Sequence, residues 1–578
     1  MDLKKTHQLK AIIIFILFLF ITFDNAKGQL PTGVIPEHAS YSFNGLQNTF
    51  THIPDSIQTS VYWYWINGNI SKEGVVKDLE AMKKVGINRA YIGNIGLEGS
   101  SPEGKVKMFS DEWWDILHTT LKTATRLNIT IGIFNGPGWS QSGGPWIKPE
   151  QSMRYLTSSQ VTVKGPYLFN KQLVKPQENF QDVRVLAYPV ANDYDDDISS
   201  LKPALTSDPA TDALGKIMDH NLSTSIPLTS GKQFSLNINA KSQYTVRSVT
   251  ITTTEQSVSL EGDIQAKINN TYTTVKHFSI DRSNSALNVG FIPFGPAAFS
   301  IPATTSNSFR IVFTNVSSNS GIAEIKLSAT PAVENYMEKT LAKMWPTPHP
   351  FWEKYQWEPQ PVETSKYIID PSKVIDISKY MRADGTLNWQ VPAGNWVIER
   401  TGMTPTNVTN SPAPPEGRGL EVDKMSKEHV AEHFNAFLGQ ILKRIPAEDR
   451  KTFKVTVEDS YETGGQNWTE KLVPEFKQAY GYDPIPYLPV LQGTVVGSED
   501  RSDRFLWDLR RLIADDVSFK YVGGLREISH KNGLTTWLEN YGHWGFPGEF
   551  LQYGGQSDEV GGEFWSEDHG VLHRPSRS

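Results

Sequence analysis

The feature that most constrains this chain is a regular alternation of strand and helix patterns, broken once by a long stretch without helical period. Ser60-Val-Tyr-Trp-Tyr-Trp-Ile-Asn67 reads as a strand that ends in polar residues. Val75, Val76, Leu79, Met82 and Val85 then recur at helix spacing, and Gly86 closes that segment as a C-cap. A second strand over Arg89–Asn94, a second helix over 112–127 and a third strand over Ile129–Phe134 follow at once. Strand–helix–strand with short links implies a parallel sheet with right-handed crossovers. The alternation resumes later: strands are expected at 395–402, 454–459 and 535–540, helices at 428–442, 469–480 and 502–530, and a seventh strand from about 556.

Between 158 and 330 the text turns Ser/Thr/Asn-rich with period-two runs such as Phe309-Arg-Ile-Val-Phe-Thr, which read as a β-sandwich. The expected fold is therefore α/β, a (β/α)8 TIM-type barrel carrying an inserted β-sandwich. Its parts are a signal peptide at 1–28, a first barrel part at 29–157, the sandwich at 158–330 and a second barrel part at 331–578. With no eighth strand in the text, the barrel is expected to be incomplete. A doubly wound sheet is the competing fold, but no Gly-rich phosphate fingerprint follows any strand.

The first 28 residues read as an address. Lys4, Lys5 and Lys10 precede an apolar run from Ala11 to Phe23, too short to span a bilayer, and Ala26-Lys-Gly28 offers small residues for cleavage. The protein is expected to be periplasmic or secreted, with no membrane attachment after cleavage. Zero cysteines exclude disulfide scaffolds, thiolate zinc sites, iron–sulfur centres and cysteine nucleophiles. A net charge of −7 argues against a nucleic-acid partner. The 16 Trp and 21 Tyr suit a carbohydrate partner, although aromatics also fill cores.

In a (β/α)8 barrel the chemistry lies at the C-terminal ends of strands. There the sequence offers Trp65, Asn94 and Asn135 as candidate substrate-binding residues, then Arg400, Glu458-Asp459, Glu539-Asn540 and Asp558-Glu559. Glu458, between an apolar strand and a Gly-rich loop and beside a second acid, is the candidate general acid. Glu539 and His543 suit the hydroxyls of a sugar. Asp558, Glu559 and Glu563 crowd acids of the kind that hold Ca²⁺, or that supply a second catalytic carboxylate. His429 and His433, spaced i, i+4, are a weaker metal pair. No G-x-S-x-G elbow and no H-E-x-x-H is present.

Trp63-Tyr-Trp-Ile-Asn-Gly-Asn69, Phe134-Asn-Gly-Pro-Gly-Trp139, Pro392-Ala-Gly-Asn-Trp396, Gly419-Leu-Glu-Val-Asp423, Glu458-Asp-Ser460 and Ser557-Asp-Glu-Val-Gly-Gly-Glu-Phe-Trp565 together resemble the α-L-rhamnosidases of glycoside hydrolase family 106. The resemblance implies an inverting, calcium-dependent hydrolase of terminal rhamnose, on a (β/α)8 barrel with β-sandwich attachments. It places the general acid at Glu458 and an acidic calcium ligand at Glu559 or Glu563. Inversion also needs a second carboxylate about 6.5–9.5 Å from the first. Family members continue past the Glu-Phe-Trp motif into a strand that carries the general base. The tail Ser566–Ser578 is unlike them, so a truncated or frameshifted end near residue 567 is expected, with the base missing. Two other readings stay open: a carbohydrate-binding fragment without turnover, and a polysaccharide lyase using Tyr461 and Arg400.

Overall fold

The structure is a computed structural model that describes residues 42–51, 57–194, 196–284, 286, 289–345, 356–362, 366–542 and 545–563. The signal peptide, His543 and the tail after Glu563 lie outside the described residues. The chain divides into two compact units, residues 1–58 and 59–578. In the first, Phe43–Thr51 forms a helix with every residue exposed.

The second unit is mixed α/β and, among the described residues, holds three sheets. One is parallel throughout and runs in chain order: β1 (Ser60–Ile66), β2 (Arg89–Ile95), β3 (Thr130–Phe134), β4 (Phe453–Glu458), β5 (Thr535–Glu539) and β6 (Glu559–Gly561). Helices Lys72–Lys84 and Asp111–Leu127 link the first three strands. Each begins on a serine, Ser71 or Ser110, whose hydroxyl accepts from a backbone N–H of the first turn. The second helix buries Trp113, Ile116, Leu117, Leu121 and Ala124, the stripe that a 3.6-residue period produces.

This parallel sheet is curled. Flat, it would hold β2 and β6 about 19 Å apart, four strand spacings. Instead Arg89 of β2 reaches Glu559 of β6 in a bidentate ion pair at 2.6 and 2.7 Å. The Tyr62 and Tyr91 rings of β1 and β2 lie 5.9 and 5.1 Å from the Trp537 ring of β5. The concave face packs Tyr91, Phe134, Val455 and Val457 against Tyr64, Trp139 and Trp537. The convex face buries Trp63, Trp65, Ala90, Ile92, Ile131, Ile133 and Leu538 in the large core shared with the helices.

The other two sheets are antiparallel. Seven strands between Ala204 and Ser328 form one, around a core that includes Leu236, Val249, Ile264, Phe299 and Phe313. The other joins Arg154–Gln172 and Gln181–Val190 to Thr386–Pro405 and Ile375–Asp376. That pairing corrects one expectation: Asn395–Gly402 is not a strand of the parallel sheet but pairs antiparallel with Lys164 to Thr157. An apolar, alternating strand carries the same local pattern in either setting, and only its partner decides. Arg400 goes with it, ion-paired at 2.6 Å with Asp182.

Candidate active site

Side chains alternate along a strand, so each polar strand end has one face to occupy. In β4, Val455 and Val457 point to the concave side, which sends Thr456 and Glu458 to the helices and returns Asp459 to the concave side. In β5 the same count places Trp537 and Glu539 inward and Leu538 outward. In β1 it turns Tyr62 and Tyr64 inward and Trp63 and Trp65 outward.

The inward residues form a cup of carboxylates lined by aromatic rings. Tyr62 donates its hydroxyl to Asp459 at 2.8 Å, and Asp459 shares a further hydrogen bond with Glu539. Burial, and then the negative charge of Asp459, pushes Glu539 up to about 9, while burial pushes Asp459 up to about 6. The two carboxyls therefore share one proton across most of the neutral range. Glu462 accepts from the Ser460 hydroxyl at 3.2 Å and from the Trp139 indole N–H at 3.3 Å. Burial pushes it up to about 7, while those two donors pull the other way. Glu563 adds negative charge felt by Asp459, Glu462 and Glu539. Beside them, Tyr62 and Tyr64 stack at 5.5 Å, and the Trp139 ring lies 6.0 Å beyond Tyr64.

The loop after β3 ties this cup to the scaffold. Gly138 and Gly143 take left-handed backbone at φ 83° and 100°, and so does the non-glycine Gln141 at φ 81°. Trp139 holds Glu462, Ser140 donates to Glu421 at 2.8 Å, and Gln141 donates to the Asp459 carbonyl. Glu421 is fully buried and held by Lys424 at 2.7 Å.

Of the residues expected from the sequence, Asp459, Glu539 and Glu563 belong to this cup. Trp65 faces the helices, edge-on to Trp63 and Trp113. Asn94 accepts from the Trp113 indole at 3.0 Å on the same side. Asn135 donates to the Gln141 carbonyl at 3.1 Å, and Glu458 lies fully buried behind β4. Glu559 is engaged by Arg89, and Asp558 by Arg526 and His530, each at 2.8 Å. His429 and His433 diverge: the first lies 3.5 Å from Asp423, and the second accepts from the Trp146 indole at 3.0 Å. Tyr461 is fully buried and donates to the Gly464 carbonyl.

Asp423, His429 and Glu470 bring ligand atoms within 4.8 Å of one another. Arg154 already neutralises that group, bonded to both Asp423 and Glu470. Tyr62, Tyr64, Trp139 and Glu462 were not singled out as site residues from the sequence. Counting the two-residue period outward from Val457 would have turned Asp459 inward and Glu458 outward, whereas Tyr62 and Tyr64 alternate with Trp63 and Trp65 in a strand where both faces read as aromatic. Glu462 and Trp139 lie in loops, where no period applies.

Comparison with known proteins gives three findings. A glycoside hydrolase 106 family model, described as alpha-L-rhamnosidase, matches residues 51–577. That span includes the tail after residue 566 that was set apart above as unlike the family. A solved rhamnosidase from Novosphingobium sp. PP1Y superposes with a TM-score of 0.74 at 28% identity, over 89% of this chain and 49% of that one. A Formosa agariphila protein with a provisional β-glucuronidase name is 29% identical over 97% of this chain and 35% of its own length. The chain thus spans between a third and a half of these longer relatives.

Proposed function

The chain belongs to glycoside hydrolase family 106, and from that premise we propose that it is an exported, inverting α-L-rhamnosidase whose catalytic carboxylates line the concave cup of the curled sheet. The observation that carries this reading is the cup itself: Asp459, Glu462, Glu539 and Glu563 converge beyond the C-terminal ends of β4, β5 and β6, lined by Tyr62, Tyr64 and Trp139. The curl and the sequential strand order support a (β/α)8-type barrel of which these residues form six strands.

Glu462 is the proton donor in this reading. Burial raises its pKa to about 7, so a large fraction carries the proton at neutral pH, as a general acid requires. Its proton passes to the glycosidic oxygen as the bond to the anomeric carbon breaks. Asp459, the more readily ionised member of its pair, takes a proton from the water that attacks the opposite face of the sugar. Tyr62 orients Asp459 for that role, and Trp139 orients Glu462. Glu458 lies on the helix side of β4, so this reading moves the acid's role from Glu458 to Glu462.

The donor set of the cup fits calcium: several hard carboxylate oxygens gathered in one place, close enough to feel one another's charge. Glu539 and Glu563 would hold the ion, not Glu559, which Arg89 engages through both oxygens. Bound there, calcium supplies the positive charge that fixes sugar hydroxyls. A uronate substrate would bring another negative charge to these carboxylates, so the cup favours a neutral sugar over a glucuronide. The expected partner is a rhamnose-containing oligo- or polysaccharide.

The test is rhamnose release from p-nitrophenyl α-L-rhamnoside, with calcium and with a chelator, while NMR follows which anomer appears first. Calcium-dependent release of the inverted anomer supports the reading. Rhamnose binding without release, by folded protein, would instead support a binding fragment, and an unsaturated product absorbing in the ultraviolet would support a lyase. N-terminal sequencing of the exported chain tests the cleavage after residue 28.

A further inference from the structure

Behind the cup, on the helix side of the sheet, the structure holds a second polar centre. Glu458 and Asn135 lie on adjacent strands, where the Asn135 N–H donates to the Val457 carbonyl at 2.8 Å. Both are buried, at 0% and 1% exposure, and both Glu458 oxygens and the Asn135 Oδ1 have no hydrogen-bond partner among the described residues. Burying a carboxylate unpaired is costly, and buried polar atoms left bare are rare.

The groups packed around them explain why no donor arrives. Tyr521, in the π-helical segment Val517–Val522, and Tyr553, in the helix Phe550–Gly554, both interact electrostatically with Glu458. Each phenol spends its only proton elsewhere: Tyr521 donates to the Gln141 carbonyl at 3.1 Å and Tyr553 to the Gln141 Oε1 at 2.8 Å. The Asn135 Nδ2 also donates to the Gln141 carbonyl, at 3.1 Å. Gln141 therefore draws three donors to itself, gathering Asn135, Tyr521 and Tyr553 beside Glu458 with neither phenol proton given to it. Lys424, 5.1 Å from the Tyr521 ring centre, is committed to Glu421 at 2.7 Å and Ser142 at 3.0 Å.

An oxygen-lined centre with one carboxylate and no donor suits a hard cation of low charge, since Ca²⁺ sites gather several carboxylates. We propose that Glu458, Asn135, Tyr521 and Tyr553 form a binding site for an alkali cation, sodium or potassium, buried between β4 and the π-helical segment. The site is separate from the cup and does not depend on the hydrolase reading. Its occupant would lock the helices behind Asp459 and Glu462 to the strand that presents them. A helix widened into a π turn at this depth matches that use, because such turns cluster at functional sites.

The test is thermal unfolding of the whole chain in sodium, potassium and choline chloride at matched ionic strength, with calcium chelated throughout. The expected result is a midpoint higher by about 1–3 °C in one alkali salt than in choline, at tenfold excess over its dissociation constant. Glu458→Gln and Asn135→Ala should each lose that selective shift. If Glu458→Gln fails to fold, Asn135→Ala and ²³Na or ³⁹K NMR of the native chain carry the test. Equal midpoints in all three salts would overturn the proposal and leave a protonated carboxyl with water. An unchanged selective shift in the folded variants would overturn it by placing the ion elsewhere.

Discussion

The two faces of the parallel sheet use the same residue types for opposite ends. On the concave face, Asp459, Glu462, Glu539 and Glu563 crowd together beside partly exposed rings, and the charges of Asp459 and Glu563 add to burial in raising the proton affinity of Glu462 and Glu539. On the convex face, Glu458, one residue before Asp459, is fully buried, and burial and then the charge of Asp558 raise its proton affinity. One peptide unit of β4 separates a carboxylate that shares a proton with another acid from one with no donor at all. Acidity at the end of a strand therefore identifies a candidate, and the parity of its position decides what it meets.

The sharpest way to break this comparison is to neutralise one acid on each face. Glu462→Gln should lower kcat on p-nitrophenyl α-L-rhamnoside by about 10²–10⁴-fold. Glu458→Gln should lower it by no more than about tenfold, through loosening behind the cup. Equal losses would collapse the distinction between the faces.

Next in size is the ion pair that closes the curl. Arg89 is buried and holds Glu559 through both nitrogens of its fork. Arg89→Ala should destabilise the chain by about 1–3 kcal/mol in urea unfolding, below the cost of breaking a fully buried pair because Glu559 is partly exposed. A loss within error would mean that the curl is held by the aromatic contacts alone.

Proton linkage distinguishes the faces at smaller cost. Glu539 and Asp459 have folded pKa values raised above their unfolded ones, to about 9 and about 6, so the native state binds more protons than the unfolded state between those limits. Stability from this pair is therefore present at low pH and is lost as pH rises toward about 9. The unfolding midpoint should fall over that range, and Glu539→Gln should flatten the fall. Calcium binding at the same carboxylates should release protons at neutral pH, read by titration in two buffers of different ionisation enthalpy. Calcium uptake without proton release would mean that Glu539 is not a ligand.

The smallest expected effect is on the acid itself. The Trp139 indole N–H stabilises ionised Glu462, so Trp139→Phe should raise the Glu462 pKa above about 7 and move the alkaline limb of kcat/KM to higher pH. An unmoved limb would assign that limb to another group.

The order of strands and helices in the parallel sheet was legible in the sequence because hydrophobic period and capping are local. Ser110, the Trp113–Ala124 stripe and the strand ends at Asn94, Asn135 and Glu539 were all readable from neighbours a few residues apart. Their facing was legible in principle too, since the period of two starts from any inward apolar residue. Taking strand ends as a set, without that count, grouped Trp65, Asn94, Asn135 and Glu458 with a cup that they do not face.

By itself, the sequence determined the composition of the site: acids after apolar strands, aromatics beside them, and no cysteine chemistry. Only tertiary structure decided who meets whom. Tyr62 reaches Asp459 across 397 residues of sequence and Arg89 reaches Glu559 across 470, because the sheet curls until distant strands face each other. It also sent Asn395–Gly402 to an antiparallel partner and engaged Glu559 with an arginine. Local propensity acts over a few residues, whereas curl, partner choice and ion pairing are properties of the packed whole.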